Sequence, residues 1–314
     1  MLNRRQLRVK VMQTIYAMSA SGSQNIDTQE KFLVKSMNDM EVLYYLLIDL
    51  FNQLHKQHQD LQEKSSKKHL ASKEELKPNQ KFSNNKLVKL ITDSLLLAEK
   101  MESLKSNFWK NHEEYIRIIY DKMIESQIYQ DYVADSTSNF KNDRDFIVKL
   151  YSEVIAPDEK LYEFLEDSSL TWLDDLPLVN TFLLKTFRQL KSEETSKELL
   201  IKLFRDIEDR DFAIELFRKT MLNAEHFDKI IEGQTPNWDK DRIADVDAIL
   251  IRMAICEFQK FSSIPTRVTI NEYIEIAKEY ATPKSSIFIN GVLDNLEKQM
   301  NEKGLINKVG RGLL

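Results

Sequence analysis

The first residues of the chain carry positive charge that no nearby acid opposes, and such a stretch could bind phosphate groups. Its basic residues are Arg4, Arg5, Arg8 and Lys10, and the first acidic residue is Asp27. The whole chain, by contrast, is acidic, with a formal net charge of −5. Because phosphate binding responds to the local field of lysine and arginine side chains rather than to net charge, the sequence predicts an anion-binding surface here.

An amphipathic helix over residues 4–19 is predicted to carry these charges. Four apolar residues recur at helical spacing and form one stripe along it: Leu7, Val11, Ile15 and Met18. Arg4, Arg5 and Arg8 lie off this stripe, so we expect their side chains to face solvent.

Composition favours an all-helical protein. Of the 314 residues only six are glycine and six are proline, fewer than sheets and tight turns need, while 42% are hydrophobic, enough for a sizeable core. The single cysteine, Cys256, stands in an apolar run, which predicts a small buried side chain in a reducing, cytoplasmic setting. No apolar segment is long enough for a signal peptide or a membrane span, so we expect no membrane partner.

The sequence offers no pattern typical of catalysis or of a cofactor. The six glycines are scattered and form no phosphate-binding loop. His55 and His58 stand three residues apart, but in a polar stretch without cysteines, which makes a poor metal site. We therefore expect no enzymatic activity, no metal and no cofactor.

A second helix and a linker are predicted after the first helix. The apolar residues 39–54 predict a helix. The stretch that follows is rich in lysine, glutamine and serine, and it predicts a flexible linker over residues 55–85.

The C-terminal third has clear signals for helix boundaries. Thr269 with Glu272, three residues later, predicts a capping box. A further helix is expected to begin near Ser285 and to end at Gly304. Gly291 lies inside that helix, where glycine costs about 1 kcal/mol relative to alanine, so we expect another backbone or a ligand to approach closely there.

An internal repeat is the most informative pattern in the middle of the chain. Residues 143–190 align without a gap with residues 209–256, at an offset of 66, and both begin with Asp-Arg-Asp-Phe. Each copy has a tryptophan at the same place, Trp172 and Trp238, so we interpret the first copy as a degenerate repeat of the second. Four positions are charged only in the second copy: Arg242, Asp245, Asp247 and Arg252. Either a partner or solvent could face this charged helix surface.

Three separated motifs resemble one known family. The segment NWDKDRIADVDAILIRMAICEFQKFSSIPTRVTINEYIEIAKEYATPKSSIFINGVLDNL is similar to the C-terminal half of the NusB family of bacterial transcription antitermination factors. The family's marks within it are Ile249-Leu250, Arg252, Ala254, Glu257, Pro265, Val268, Ile270-Asn271-Glu272, Ala277-Lys278 and Phe288 to Asp294. The opening RRQLRVKVMQTIY resembles the family's first helix through Arg4, Arg5, Arg8, Gln13 and Tyr16.

The resemblance implies an all-α fold, a NusB-like helical bundle of two packed helical subdomains. It assigns residues 1–20 to the N-terminal basic helix, residues 209–304 to the NusB-like core and residues 305–314 to a C-terminal tail. Residues 21–208 have no counterpart in an ordinary family member, so we expect an additional helical insertion that contains the linker and the degenerate repeat.

The resemblance also implies a function. Members of the family bind boxA, a short single-stranded signal in ribosomal RNA leaders, as a heterodimer with NusE, a small-subunit ribosomal protein. With other Nus factors they load onto the elongating RNA polymerase and suppress premature termination. We therefore expect an RNA-binding antitermination factor that acts during ribosomal RNA transcription.

The resemblance and the chemistry of single-stranded RNA together give the candidate site residues. Those expected to bind phosphates are Arg4, Arg5, Arg8 and Lys10. Tyr16 and Phe288 are expected to stack on bases, and Gln13 and Asn290 are expected to read base edges. Gly291 is expected to let the RNA come close. On the charged helix from Asp241 to Arg252, the candidates for binding NusE are Asp245 and Asp247.

Two alternatives stay open. One is a non-catalytic helical scaffold that binds only protein, against which the basic first helix argues. The other is a NusB-like accessory domain related to ribosomal RNA cytosine methyltransferases, whose catalytic domain follows this fold. The chain continues for only about fourteen residues after the last matching helix, so we expect no such catalytic domain.

Overall fold

The computed structural model of the chain describes residues 2–68, 72, 76–104, 107–192, 196–234 and 244–313. These residues form α-helices joined by turns and by short 3₁₀ or π-helical segments, with no β-strand among them; an isolated bridge joins Leu2 to Phe204. The predicted all-α fold is confirmed. Trp238, Asp241 and Arg242, which the sequence analysis singled out, lie outside the described residues.

The helices of the described residues are numbered in chain order. Those up to residue 150 are α1 (Arg4–Ala20), α2 (Ile26–Ser66), α3 (Lys86–Thr92), α4 (Leu95–Ser103), α5 (Glu113–Glu125), α6 (Gln127–Ala134) and α7 (Phe140–Leu150). Those that follow are α8 (Glu159–Ser168), α9 (Leu176–Gln189), α10 (Ile207–Leu222), α11 (Ala224–Gln234), α12 (Asp245–Lys260), α13 (Thr266–Tyr280) and α14 (Ser285–Glu302). The predicted helix over residues 39–54 is thus the middle of a longer helix, α2.

The chain divides into two compact units. The terminal unit consists of residues 1–37 and 204–314, and the middle unit consists of residues 38–203. The predicted insertion, residues 21–208, covers the middle unit but also includes residues 21–37 and 204–208 of the terminal unit. Its assignment as an insertion stays a prediction.

Helix α1 of the terminal unit begins and packs as its sequence dictates. The Asn3 side chain accepts hydrogen bonds from the backbone N–H groups of Arg5 and Gln6, and the Gln6 side chain accepts one from the Asn3 N–H, which completes a capping box. The predicted apolar stripe is buried, and burial of each such side chain contributes about 1.5–3 kcal/mol. The stripe packs α1 against α10, α12 and α13, which form the core of this unit with α14.

The start of α13 corrects one prediction. The helix begins at Thr266, directly after Pro265, because a proline costs no hydrogen bond at a helix start. Thr269 therefore lies one turn inside the helix, where it is buried, and the predicted capping box of Thr269 with Glu272 is wrong. Both side chains make tertiary contacts instead.

Two glycines of the terminal unit behave differently. Gly304 ends α14 as predicted, with a φ of +64°, a conformation that favours glycine. A Cβ added at Gly291 would meet no atom of the described residues within 4 Å. The expectation that another backbone approaches Gly291 is therefore wrong for the described residues, and the approach of a ligand stays a prediction.

Helix α2 continues through the first part of the predicted linker. It extends to Ser66, and His58 on this helix is buried against the rings of Phe82 and Tyr120 in the middle unit. The prediction of a flexible linker over residues 55–85 is wrong for this helical part and for the buried Phe82. The polar composition was misleading because the rings that cover His58 come from later in the chain.

The two copies of the predicted repeat have the same order of helices, α7 to α9 in the first copy and α10 to α12 in the second. Asp143 and Asp209, which open the two copies, are both buried. Each accepts a hydrogen bond from the first residue of a helix that an asparagine caps. Asp143 accepts from the backbone N–H of Lys86 at 2.9 Å, and Asp209 accepts from Nε of Arg4 at 2.9 Å. This agreement favours the duplication, which stays an interpretation.

We expect the stability of the middle unit to fall as the pH drops below about 6.5. Gln62 donates to Nε2 of His58 at 2.9 Å, so the neutral ring donates its Nδ1–H to the Tyr120 hydroxyl at 2.9 Å. Burial, together with His55 nearby, lowers the pKa of His58 to about 4. The unfolded chain takes up this proton from about pH 6.5 downward and the folded chain only near pH 4, so the free energy of unfolding loses roughly 2 kcal/mol across that window.

Urea unfolding at pH 7.5 and at pH 4.5 measures this loss. The variant His58→Gln should lose less stability between the two pH values than the wild type, whereas the exposed control His226→Gln should lose as much as the wild type. Equal losses in the wild type and in His58→Gln would contradict the assignment.

Candidate nucleic-acid interface

Arg8 of α1 forms a buried ion pair with Glu257 of α12. Its Nε and Nη2 atoms donate to the two carboxylate oxygens at 2.6 and 2.8 Å; only 2% of Arg8 and none of Glu257 is exposed. Two hydroxyls from α13 donate to the same carboxylate, Tyr273 Oη at 2.7 Å and Thr269 Oγ1 at 3.1 Å. These hydrogen bonds offset the cost of burying the charge.

The pair also sets the protonation of its neighbours. Burial by itself lowers the pKa of the Arg8 guanidinium, but the Glu257 carboxylate outweighs burial, so the pKa lies above its usual range. Burial, and then the same carboxylate, raise the pKa of the Tyr273 hydroxyl well above its usual value. Arg8 therefore stays charged and Tyr273 stays a hydrogen-bond donor.

Arg4 and Arg5 lie at the open start of α1 and are also paired. Arg5 donates from Nε and Nη2 to the two oxygens of Glu272 on α13, at 2.9 and 3.0 Å. Arg4 donates from Nε to Asp209 on α10 at 2.9 Å, and its guanidinium lies over the Phe212 ring, 4.9 Å from the centroid. Both arginines keep more than a third of their side-chain surface exposed.

The outward orientation predicted for Arg8 is wrong, and Lys10, with 4% exposed, is buried as well. Arg8 follows Leu7 by one residue and precedes Val11 by three, so it borders the apolar stripe and reaches the carboxylate beneath it. That carboxylate, Glu257, is 249 residues away in the sequence, so the local pattern gives no sign of it. Neither Arg8 nor Lys10 presents its charge to solvent.

A groove of about 680 Å³ opens at the start of α1. Its lining residues are Asn3, Arg4, Arg5, Arg8, Ser263, Ile264, Pro265, Val268, Glu272 and Arg311. The lining thus holds four arginines and one carboxylate, a formal charge of +3. A concave surface concentrates such a field, so this groove is the part of the basic stretch that can attract an anion.

The other RNA-binding candidates do not line this groove. Gln13 and Tyr16 lie further along α1, where Tyr16 is 45% exposed. On α14, Phe288 and Asn290 are half-buried and Gly291 is exposed. The RNA contacts of these five residues stay predictions.

The two candidates for partner binding have different surroundings. Asp245, in the first turn of α12, is exposed. Asp247 is only 6% exposed, and burial raises the pKa of its carboxyl group although Ser285 opposes this rise. Asp247 therefore offers almost no surface to a partner, and the prediction that it lies on an open charged surface is wrong, because α12 is covered on most sides from this residue onward.

The acidic side of the site was missed in the sequence. Asp209, Glu257 and Glu272 come from three helices that are far from α1 in the chain. One signal was available: Glu257 is the single charged residue in the run MAICEF, and a charge in an apolar helix needs an opposite partner.

The NusB family model matches residues 179–298 of the chain. This range begins within α9 and ends within α14, so it includes all three acids that hold α1. The chain carries a NusB-family domain.

Three relatives, each named transcription antitermination protein NusB, are similar to part of the chain. The Salinibacter ruber protein is 46% identical over 99 residues, which are 32% of this chain and 62% of that protein. The Chloroherpeton thalassium protein is 40% identical over 99 residues, 32% and 47% of the two chains. The Natranaerobius thermophilus protein is 44% identical over 84 residues, which are 27% of this chain and 60% of that protein. The chain thus spans less than two thirds of the length of each of these NusB proteins, and no solved structure matches it.

The described residues show neither a metal site nor a membrane span. They contain no group of three or more His, Cys, Asp or Glu side chains that could hold a metal ion. None of the described helices combines the length and the apolar character needed to cross a membrane.

Removing one member of the buried pair is expected to destabilise the NusB-family domain strongly. Arg8→Met or Glu257→Gln leaves the other charge buried without its counterpart, which costs about 3–5 kcal/mol. The double variant should cost less than the sum of the two, with a coupling of at least about 1 kcal/mol. Urea unfolding measures all three, and Lys278→Ala, which breaks an exposed pair with Glu275, is the control expected to change little. Strictly additive costs would show that the two side chains do not interact.

Proposed function

We propose that the protein is an RNA-binding transcription antitermination factor. It binds boxA-type single-stranded leader RNA together with NusE, and it joins the elongating RNA polymerase with other Nus factors to suppress termination during ribosomal RNA transcription. The observation that carries the proposal is the pair Arg4 and Arg5, held partly exposed in the groove by acids of the NusB-family domain.

The two arginines have the chemistry that phosphate recognition needs. Arg4 donates to the described residues through Nε alone, and Arg5 donates through Nε and Nη2, so each guanidinium has N–H groups left for a ligand. Their ion pairs with Asp209 and Glu272 fix their orientation before binding. A side chain that is already ordered loses less entropy when it binds, and the planar fork of arginine suits phosphate oxygens.

Base contacts are proposed for the surfaces beyond the groove. Tyr16 offers almost half of its side chain on α1, and Phe288 and Asn290 are partly accessible on α14. Stacking of a base on an aromatic side chain is worth about 1–3 kcal/mol. The open space beside Gly291 would allow a nucleotide to lie against the helix.

The proposed surface for NusE includes Asp245. Its carboxylate is exposed in the first turn of α12, whereas Asp247 behind it is buried. Charges at the rim of an interface act mainly on the rate of association.

One observation favours a second function, a helical scaffold that binds only protein. All three arginines of α1 are paired with acids, so their charge could serve the fold alone. The relation to ribosomal RNA methyltransferases gains no support, because the three relatives are all named as antitermination proteins.

Replacing both exposed arginines tests the proposal. Arg4→Gln with Arg5→Gln removes two phosphate contacts, so the slope of log affinity against log salt should fall by about 1.4 and the affinity at 0.1 M salt by at least about 25-fold. Fluorescence anisotropy with a labelled boxA-like single-stranded RNA and NusE, over a salt series, measures both quantities.

The control for this variant is Arg117→Gln with Arg188→Gln, which removes two exposed arginines of the middle unit. It should leave the affinity and the salt slope near those of the wild type. If the α1 variant binds RNA with unchanged affinity and slope, α1 serves the fold and the scaffold function is favoured.

Replacing Asp245 tests the partner surface. Asp245→Asn should slow the association of the protein with NusE and weaken its salt dependence, since one rim charge is lost. Surface plasmon resonance with immobilised NusE measures both, and Asp121→Asn, an exposed acid of the middle unit, is the control. An association rate equal to that of the wild type would exclude Asp245 from the interface.

A further inference from the structure

The C-terminal residues 305–313, predicted as a tail, are fixed to the end of α12. Nζ of Lys308 donates to the backbone carbonyls of Glu257 and Phe261, at 3.0 and 2.9 Å, and the Val309 N–H donates to the Ser262 carbonyl at 3.1 Å. These bonds place a cation at the C-terminal end of α12, where the helix dipole favours positive charge. Burial lowers the pKa of Lys308, although the Glu257 carboxylate opposes this shift, which is consistent with a lysine enclosed at a helix end.

Gly312 allows the segment to lie this close. It is buried, and an added Cβ would overlap the Ser262 carbonyl oxygen and come within 3.1 Å of Cβ of Lys308. Gly310 two residues earlier has a φ of +54°, which turns the chain. Both glycines are therefore needed for the path that the segment follows.

This path brings Arg311 to the groove at the start of α1. Arg311 is exposed and lines the groove together with Arg4 and Arg5. No carboxylate of the described residues lies within ion-pair distance of it. It differs in this from the arginines of α1, each of which has its own acid.

Arg311 differs from the other arginines of the groove in its charge balance. Asp209 and Glu257 stand behind the lining and pair with Arg4 and Arg8, and Glu272 pairs with Arg5. The charge of Arg311 is then the one among the groove's arginines that no ion pair of the described residues neutralises. The groove, at about 680 Å³, has the size of a ligand site.

A second cavity that Arg311 also lines is less suited to an anion. It measures about 880 Å³ and is lined by three arginines, Arg4, Arg205 and Arg311, and by three acids, Asp206, Glu208 and Asp209. Its formal charges cancel, so a phosphate gains more in the groove that Arg4 and Arg5 share with Arg311.

We propose that Arg311 binds a backbone phosphate of single-stranded RNA, so that the C-terminal segment completes the RNA-binding groove. The proposal rests on the proposed function and adds to it a residue from outside the matched family domain, which ends at residue 298. Successive phosphates of a single strand need cations side by side, and Arg4, Arg5 and Arg311 line one groove in this way.

Two variants test the segment by different routes. Arg311→Gln removes the charge and should lower the salt slope by about 0.7, with about a fivefold loss of affinity at 0.1 M salt. Gly312→Ala keeps Arg311 but displaces the segment, so it should weaken RNA binding to a similar extent. The matched controls are Arg117→Gln and Gly233→Ala, since an added Cβ at Gly233 meets no atom of the described residues within 4 Å. Both controls should bind as the wild type does.

The readout is anisotropy with a boxA-like single-stranded RNA and NusE over a salt series, combined with thermal unfolding in inorganic phosphate. If the wild type binds RNA and Arg4→Gln with Arg5→Gln weakens it while Arg311→Gln leaves slope and affinity unchanged, this proposal fails and the proposed function stands. If the wild type does not bind RNA, both fail. If phosphate raises the melting temperature of the wild type but not that of Arg311→Gln, while both bind RNA equally, Arg311 serves a free phosphate and the assignment to RNA is overturned.

Discussion

The position of α1 depends on one buried interaction, the ion pair of Arg8 with Glu257. Two opposite charges without access to water are tolerated only when their hydrogen bonds are satisfied, and here Tyr273 and Thr269 supply the remaining donors to the carboxylate. Because both oxygens are engaged by the Arg8 fork, α1 can neither rotate nor slide without losing these bonds. Arg4, one turn earlier, is therefore held at the edge of the groove.

Glu257 also connects the two ends of the chain within the terminal unit. Its carboxylate holds α1, which starts the sequence, and its backbone carbonyl accepts a hydrogen bond from Lys308 near the end. The two contacts use different parts of Glu257. A change of its side chain acts on α1, whereas the bond to Lys308 depends on the backbone of α12.

Composition and the family resemblance predicted the all-α fold. Local signals were enough for the start of α14 and the apolar stripe of α1, because these depend on residues a few positions apart. The sequence-based predictions were wrong where the burial of a side chain depends on a partner far away in the chain. The burial of Arg8 needs an acid 249 residues away, and the burial of His58 needs the ring of Tyr120, 62 residues away. The prediction for the start of α13 was wrong for another reason. Pro265 and Thr269 are both residue types that begin helices, and the helix begins directly after Pro265.

The basic stretch also shows why charge counted along a sequence differs from charge at a surface. Four cations without a neighbouring acid suggested an open positive face, yet two of them are buried. Arg4 and Arg5 keep their exposure and receive acids from α10 and α13. Such pairing reduces the positive electrostatic field but orders the guanidinium groups. The surface therefore attracts distant anions less strongly, while its arginines keep a defined geometry.

The matching aspartates of the two repeats, Asp143 and Asp209, accept hydrogen bonds from different kinds of donor. In the terminal unit the aspartate receives an arginine side chain, whereas in the middle unit it receives a backbone N–H from Lys86 and the hydroxyl of Tyr132. One residue beyond the repeat, the same offset sets Lys191 against Glu257, so the middle copy has the wrong sign to bury an arginine there. If the copies share an ancestor, only the terminal copy retains an acid at this position, and only there does a buried arginine hold another helix in place.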